Sequence, residues 1–421
     1  MKLQLLKFLY NLFLFIYPKV AWLIRNQNAK AKLWLDGRKN IFEKLEAAFA
    51  NNTSKIIWIH CSSLGEFEQG RPVIESFKQQ YAQFKILITF FSPSGYEAKK
   101  NDAVADWIFY LPMDSSIHAK KFFDIVQPKI IFFIKYEYWF YYLTEAKKRN
   151  IPLLLVSGIF RKEQVFFKWY GNFYKNMLHC FTHFFVQTKI SVELLQNIGF
   201  EKNISICGDT RFDRVITIAN QFTSIPLIEQ FIANNKVIVA GSTWTEDDEE
   251  LNHYANTHPE IKFIIAPHDV DEERINECKK LYKNAILFSR LSTQPSTTAN
   301  VLIIDNIGML SNLYKYATIC YIGGGFGEDG VHNVLEAAVY NKPVIFGPEY
   351  DKYIEAVELI NEGGAYSIEN SLELEAIFNL LFTNEEQYHT TAKKAGDFII
   401  ANAGATQKII AYIQENRLLT I

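Results

Sequence analysis

In IHCSSLGEFEQG (59–70) an apolar strand pattern stops at His60, small residues follow, and Glu66 falls where the next helix begins. The positive end of a helix stabilises an ionised carboxylate. Such a carboxylate can take a proton from an attacking hydroxyl. The same position equally suits a glutamate that only caps the helix, and spacing alone does not choose between the two. His60 and Cys61 do not form a Cys–His nucleophile, because neighbours on a strand point to opposite faces. Glu137, in KYEYWF (135–140), lies just past another strand pattern and among aromatics. A carboxylate there is either buried against a partner, with Lys135 at hand, or functional.

The second half of the chain carries YIGGGFGEDGVHNVLEAAVYNKPVIFGP (321–348). A strand pattern ends in Gly323, Gly324 and Gly325, and HNVLEAA opens a helix. Glycines let backbone approach a ligand closely, and helix-start amides can hold a phosphate. The spacing is not the GxGxxG dinucleotide fingerprint. His332 and Glu336 stand one helical turn apart and can face one ligand; the carboxylate suits the two hydroxyls of a ribose. His332 and Asn333 read equally as caps. AGSTWTEDDEEL (240–251) is a second strand-to-helix turn, where Gly241, Ser242 and Thr243 offer amides and hydroxyls. Arg211, in GDTRFD (208–213), is either a contact to a phosphate or carboxylate or a solvated surface charge.

These residues need a scaffold of alternating strands and helices. Strand patterns at 55–60, 85–91, 129–135, 152–158 and 183–188 are each followed by a helical stretch. The alternation restarts at 236–242, 262–268, 285–290, 301–305, 317–325 and 342–348. That is the signature of parallel sheets covered by helices on both faces. The predicted architecture is two doubly wound Rossmann-like α/β domains facing across a cleft, separated by a linker near 206–234. Ligands bind at the carboxyl ends of the strands in such folds. The polar run 292–300 reads as a loop, and the last helix is free to pack on either domain. A length of 421 residues agrees with two domains.

A net charge of -2 argues against bulk nucleic-acid binding. Five widely spaced cysteines contain no CxxC pair, which suggests neither a disulfide framework nor a zinc site. The N-terminal LLKFLYNLFLFIYPKVAWLI (5–24) is nearly all apolar and has no small-residue cleavage site. It reads as a membrane anchor or an interfacial helix, with an ordinary buried helix as the alternative. Arg25, Lys30, Lys32, Arg38 and Lys39 follow and would hold the body on the cytoplasmic side.

Taken in order, the anchor, GR (37–38), HCSSLGE, FFSPSGYE, YLPMD, YEYW, VQT, GDTRFD, GST, GGGF, HNVLEAA and KPVIFGP resemble the 3-deoxy-D-manno-octulosonic acid (Kdo) transferases of Gram-negative bacteria, lipid A-specific, over nearly the whole chain. The resemblance implies a GT-B type inverting glycosyltransferase that moves Kdo from CMP-Kdo to a lipid A precursor in lipopolysaccharide biosynthesis. It would need no cofactor and no metal, and would work at the cytoplasmic face of the cell inner membrane, against inner-membrane lipid. It implies a membrane segment at 1–35, an acceptor domain at 36–205 and a CMP-sugar domain at 206–421. Glu66 matches the general base and Glu137 the second acidic position. Arg211, Gly241, Ser242, Thr243, His268, Gly323, Gly324, Gly325, His332, Asn333 and Glu336 match the donor side. The chain departs from the family in KYEYWF, where Lys135 and Phe140 replace an acid and a proline. It also departs in APHDVDEER (266–274), which keeps His268 but lacks the adjacent arginine and leaves Arg274 as the only nearby substitute. A nucleotide-sugar epimerase of the same fold and a non-catalytic membrane-associated scaffold are the alternative readings.

Overall fold

Strands buried on both faces read as continuous apolar runs, and such runs make up most of the fourteen strands that form two parallel sheets among the described residues. The computed structural model describes residues 2–293 and 298–419, so part of the loop expected at 292–300 lies outside the described residues. The chain divides into two units. Unit 1 runs to Arg214 and includes the C-terminal segment from Ala403; unit 2 is Val215–Asn402.

Unit 1 holds β1 (Lys55–Cys61), β2 (Phe84–Phe90), β3 (Trp107–Tyr110), β4 (Pro128–Ile134), β5 (Leu153–Gly158), β6 (His183–Val186) and β7 (Ile204–Ile206). Their order is β3-β2-β1-β4-β5-β6-β7. The register sets Trp58 opposite Leu87 on one side and Ile131 on the other. Trp58 is fully buried against Phe122, Phe133 and Tyr142, and its indole N–H donates to Thr89 Oγ1 at 2.8 Å. Burying one such ring stabilises by about 1.5–3 kcal/mol or more.

Unit 2 holds β8 (Val237–Thr243), β9 (Lys262–Pro267), β10 (Ala285–Leu287), β11 (Val301–Ile303), β12 (Ile319–Ile322), β13 (Val344–Phe346) and β14 (Ala365–Ser367). Their order is β10-β11-β9-β8-β12-β13-β14. In each sheet the chain reverses its direction of winding once, between β1 and β4 and between β8 and β12.

Several boundaries differ from the sequence reading. β3, β7 and β14 are three- and four-residue strands at or next to sheet edges, too short for an apolar run to announce them. The expected linker contains two helices, Thr210–Asn220 and Pro226–Ile232. The division between units comes at 214, not 206, because the first turn of the former helix is tied to unit 1. Gln69 Nε2 donates to Asp209 Oδ1 at 2.9 Å, the Thr210 hydroxyl meets Ser157 Oγ at 3.0 Å, and Arg214 pairs with Glu68. The last helix, Ala405–Glu415, buries Ile409 and Ile413 in unit 1, and Asp213 accepts from the N–H groups of Gly404 and Thr406 at 2.6 Å each.

Four helices, α1 (Lys2–Ile24), α2 (Ala29–Arg38), α3 (Ile41–Phe49) and α4 (Leu64–Gln80), frame the entry to unit 1. The apolar α1 does not stand away from the body. Tyr10, Leu14, Tyr17 and Ala21 recur at helical spacing and form the side that docks: Leu14 and Ala21 are buried, and Tyr17 packs on Trp34 and Phe91. The Tyr10 hydroxyl donates to Asp114 Oδ2 at 2.6 Å and accepts from Phe140 N–H at 3.1 Å. Asp114 also accepts from the N–H groups of Tyr141 and Tyr142. At the far end of α2, Arg38 donates to the carbonyls of Leu111 and Phe91, at 3.0 and 2.9 Å, and stacks on Trp34, Phe91 and Tyr110. Burial lowers its pKa to about 9. Gly37 precedes it because a Cβ there would strike the Tyr110 ring.

Asp114→Ala strands three donors at once, one buried and two half-buried. Urea unfolding of unit 1 should show a loss of about 2–4 kcal/mol, and an unchanged midpoint would remove Asp114 as the tie between α1 and the body.

Candidate functional site

At the β1/β4 reversal, Glu66 is the third residue of α4. Its Oε2 accepts from Ser63 N–H at 2.8 Å and is hydrogen-bonded to the Ser63 hydroxyl, so the helix start is closed by a capping box. The side chain stays half-buried. Capping and proton transfer are therefore compatible: Ser63 holds one carboxylate oxygen and fixes where the other points.

Glu137 follows β4 on the other side of the reversal. Its partner is His60, not Lys135, with Oε2 3.3 Å from Nε2. Lys135 itself adopts the left-handed region at φ 67. His60 is fully buried at the end of β1. Its Nδ1 faces Thr89 O and Oγ1, which leaves Nε2 to carry the proton toward Glu137, with Trp139 Nε1 lying 3.2 Å from that nitrogen. Burial pushes the Glu137 pKa up, but hydrogen bonds from His60, Ser62 and Trp139, together with the His60 charge, outweigh it and hold it below the ordinary value. Cys61 is fully buried, and burial with Glu66 and Glu137 nearby pushes its thiol well up, which leaves it inert.

Arg211 belongs to unit 1, in the first turn after β7. Asp209 holds its guanidinium, at 2.8 Å through Nε and 2.7 Å through the terminal nitrogen. Sequence reasoning missed two neighbours, Tyr136 and Arg161. Burial raises the Tyr136 phenol, Arg161 and Arg211 lower it, and Glu66 and Asp209 raise it, so two positive and two negative groups act on one ring. The signal in the sequence was Tyr136 beside Glu137; Arg161, exposed in the loop after β5, gave none.

In unit 2 the loops after β8 and β12 interlock at the second reversal. Gly323 N–H donates to Gly241 O at 2.9 Å, and Gly324 N–H donates to Asp247 Oδ2 at 2.8 Å. These two amides are thus hydrogen-bonded within the protein. The glycines are required by packing: a Cβ on Gly323 would lie 2.3 Å from Ser242 O, and one on Gly325 would lie 2.6 Å from Gly347 N. Burial raises the Asp247 pKa to about 6, against hydrogen bonds from Gly324, Trp244 and Tyr321. Ser242 is half-buried with φ 56, while the Thr243 hydroxyl is buried and has no hydrogen-bond partner among the described residues.

Trp244, His268 and His332 form a stack, with ring centroids 4.5 and 4.6 Å apart. Trp244 was legible only as part of a turn. Its Nε1–H donates to His332 Nε2 at 3.1 Å. The helix expected from His332 begins only at Leu335, so His332 and Glu336 are not one helical turn apart. Asn333 joins them instead: its Nδ2 donates to Glu336 Oε1 at 3.0 Å and its Oδ1 accepts from Leu335 N–H. Arg274 is 6 % exposed and paired with Asp248, with a second bond to Thr243 O, so it braces the loop from beneath. Among the described residues no group of three or more His, Cys, Asp or Glu could hold a metal ion.

The fold defines a class. The structure resembles UDP-GlcNAc 2-epimerase from Neisseria meningitidis (TM-score 0.61, 17% identity, 86% of this chain and 100% of that one). It also resembles a glycosyltransferase from Rickettsia africae (TM-score 0.53, 17% identity, 86% and 99%). At these identities the likeness establishes the fold alone: two Rossmann-like units of GT-B type. Sequence narrows it further. Residues 39–214 match the family described as 3-deoxy-D-manno-octulosonic-acid transferase (kdotransferase). The Kdo transferase of Aquifex aeolicus is 27% identical over 79% of this chain and 89% of its own length, and that of Haemophilus influenzae 25% over 86% and 88%. A bifunctional glycosyltransferase/methyltransferase of Fusobacterium nucleatum is 26% identical over 87% of this chain, which spans 56% of that relative. The family match and these relatives together support a Kdo transferase of the glycosyltransferase class.

His332 gives a pH test. Burial, then His268, lowers its pKa from 6.5 to about 4, so the folded state favours the neutral ring. Its contribution to stability is present above pH 6.5 and is lost as pH falls through 4. His332→Gln, which keeps an acceptor but cannot gain that charge, should flatten the stability profile of unit 2 between pH 6.5 and 4, read by thermal melting. An identical slope in both proteins would refute the assignment.

Proposed function

We propose that this chain transfers Kdo from CMP-Kdo to a sugar hydroxyl of a lipid A precursor. The observation that carries the reading is the placement of Glu66 at the start of α4, at the β1/β4 reversal, in a chain with this family match. Glu66 removes the acceptor's hydroxyl proton. The freed oxygen attacks the anomeric carbon of Kdo from the face opposite the nucleotide. The bond from that carbon to the phosphate oxygen breaks, and CMP leaves with the electron pair, inverting the centre. Glu137, held ionised by His60, orients the acceptor sugar. Arg211 and Arg161 supply positive charge near the reacting groups. In unit 2, Ser242, the Trp244–His268–His332 stack and the Asn333–Glu336 pair are assigned to the nucleotide. The scheme uses no metal and no cofactor.

Glu66→Gln separates capping from catalysis. Glutamine preserves the capping box but cannot accept the proton. Thermal stability should stay within about 0.5 kcal/mol of the parent. Transfer to tetraacyl lipid A precursor, read by product mass, should fall roughly 10²–10⁴-fold. Near-parental transfer would sink the base assignment.

We place the enzyme on the cytoplasmic face of the inner membrane, with α1 lying in the interface. The segment Gln4–Ile24 is long and apolar enough to cross a membrane, and only 11% of its most apolar window is buried. The docked stripe from Tyr10 to Ala21, however, keeps one side of the helix on unit 1 along its length. A helix so held presents its other side, including Phe8, Phe15, Trp22 and Leu23, to lipid. Trp169 and Tyr170, also exposed, precede the helix Asn172–Leu178, which packs on α1. Phe8→Glu with Phe15→Glu should abolish flotation with anionic vesicles and leave the circular dichroism unchanged. Retained flotation would place the membrane contact elsewhere.

A further inference from the structure

Unit 1 contains a cavity of about 590 Å³ between α1 and the loop after β4, within the roughly 300–1,000 Å³ typical of small-molecule sites. Leu9, Phe13, Tyr138, Trp139, Val165 and Phe166 line it, and Glu137 forms part of the wall. Nothing in the transfer chemistry requires an apolar chamber next to a catalytic-side carboxylate.

Three observations define the occupant. First, Leu9 and Phe13 are 48% and 47% exposed while lining the cavity, so it reaches the surface along the apolar side of α1. A molecule already in the lipid phase meets that opening without crossing water. Second, the lining is apolar except for Glu137 and tyrosine hydroxyls. The Tyr10 hydroxyl is already committed to Asp114 and Phe140, whereas the Tyr138 hydroxyl is buried with no hydrogen-bond partner among the described residues. A purely hydrocarbon guest would leave that hydroxyl unpaired. A chain bearing an ester, amide or hydroxyl oxygen near its head would satisfy it. Third, the polar end of the cavity is Glu137, whose ionised state suits sugar hydroxyls and repels a free carboxylate or phosphate.

We propose that this cavity holds one acyl chain of the acceptor, entering beside α1, with its carbonyl or hydroxyl oxygen on Tyr138 and its sugar at Glu137. The proposal rests on the lipid-acceptor reading above. Its content is that the enzyme measures the chain as well as the sugar, so acyl length and head-end oxygen become specificity determinants.

Two measurements test it. A brominated acyl ester, used below its critical micelle concentration, should quench tryptophan fluorescence in the full-length protein. Trp139→Phe should remove a saturable part of that quenching. Quenching with no saturable component, or one unaffected by Trp139→Phe, would overturn the proposal whatever the enzyme's activity. The second is selectivity. Val165→Trp fills the cavity, and the ratio of kcat/KM for long-chain over short-chain acceptors should fall roughly tenfold or more. Tyr138→Phe should reduce the preference for ester-linked over ether-linked chains. Unchanged ratios in both variants, with Kdo transfer intact, would overturn the cavity assignment and leave the transferase reading standing. Absence of Kdo transfer in the parent protein would fail the transferase reading instead, with the fluorescence result still deciding whether the cavity takes a chain.

Discussion

A parallel sheet places every strand-to-helix turn on one edge, and a reversal of winding opens a gap at that edge that no crossover fills. The rest of the structure depends on this constraint. In unit 1 the gap lies between β1 and β4, and the two carboxylates, Glu66 and Glu137, arrive one from each side. In unit 2 it lies between β8 and β12, and the glycine turn of one strand packs on the Gly-Ser-Thr turn of the other. Residues far apart in sequence meet because topology leaves them nowhere else to go.

The two gaps are built differently. That of unit 1 is electrostatic. Buried His60, itself fixed by Thr89, holds Glu137 below its ordinary pKa, and Ser63 fixes one oxygen of Glu66. That of unit 2 is steric. Three glycines admit backbone within a side chain's radius, and Asp247 beneath them gathers Gly324, Trp244 and Tyr321. Charge placed to move a proton suits the first; a tightly determined shape suits recognition of a nucleotide.

Much of this was legible in the sequence. Strand–helix alternation is written in residue period, and Glu66 stands at a helix start that its neighbours announce. The partner of Glu137 was not legible. Lys135 is adjacent in sequence but lies in a left-handed turn, whereas His60 is brought beside Glu137 by the β1–β4 pairing. Sequence alone cannot tell whether the space around the glycine triplet is filled by ligand or by protein. Here the close atoms are Ser242, His332 and Gly347. His332 and Glu336 looked like a helical pair because HNVLEAA has helical composition, yet Asn333 bonds to its own helix start and delays it. The short edge strands carry too few residues to show a period, whereas Phe212, Val215, Ile216 and Ala219 of the interdomain segment stand at helical spacing, so that helix was legible.

The hydroxyl of Tyr10 joins an apolar, largely exposed helix to the backbone of Phe140, three residues after Glu137. One oxygen thus belongs to both that helix and the loop that carries an acidic group. A pull on α1 away from the body must break that bond before it can be borne elsewhere, and the loop of Glu137 is the first element to feel it. The helix α1, in this arrangement, acts as a mechanical support for that loop as well as a cover for unit 1.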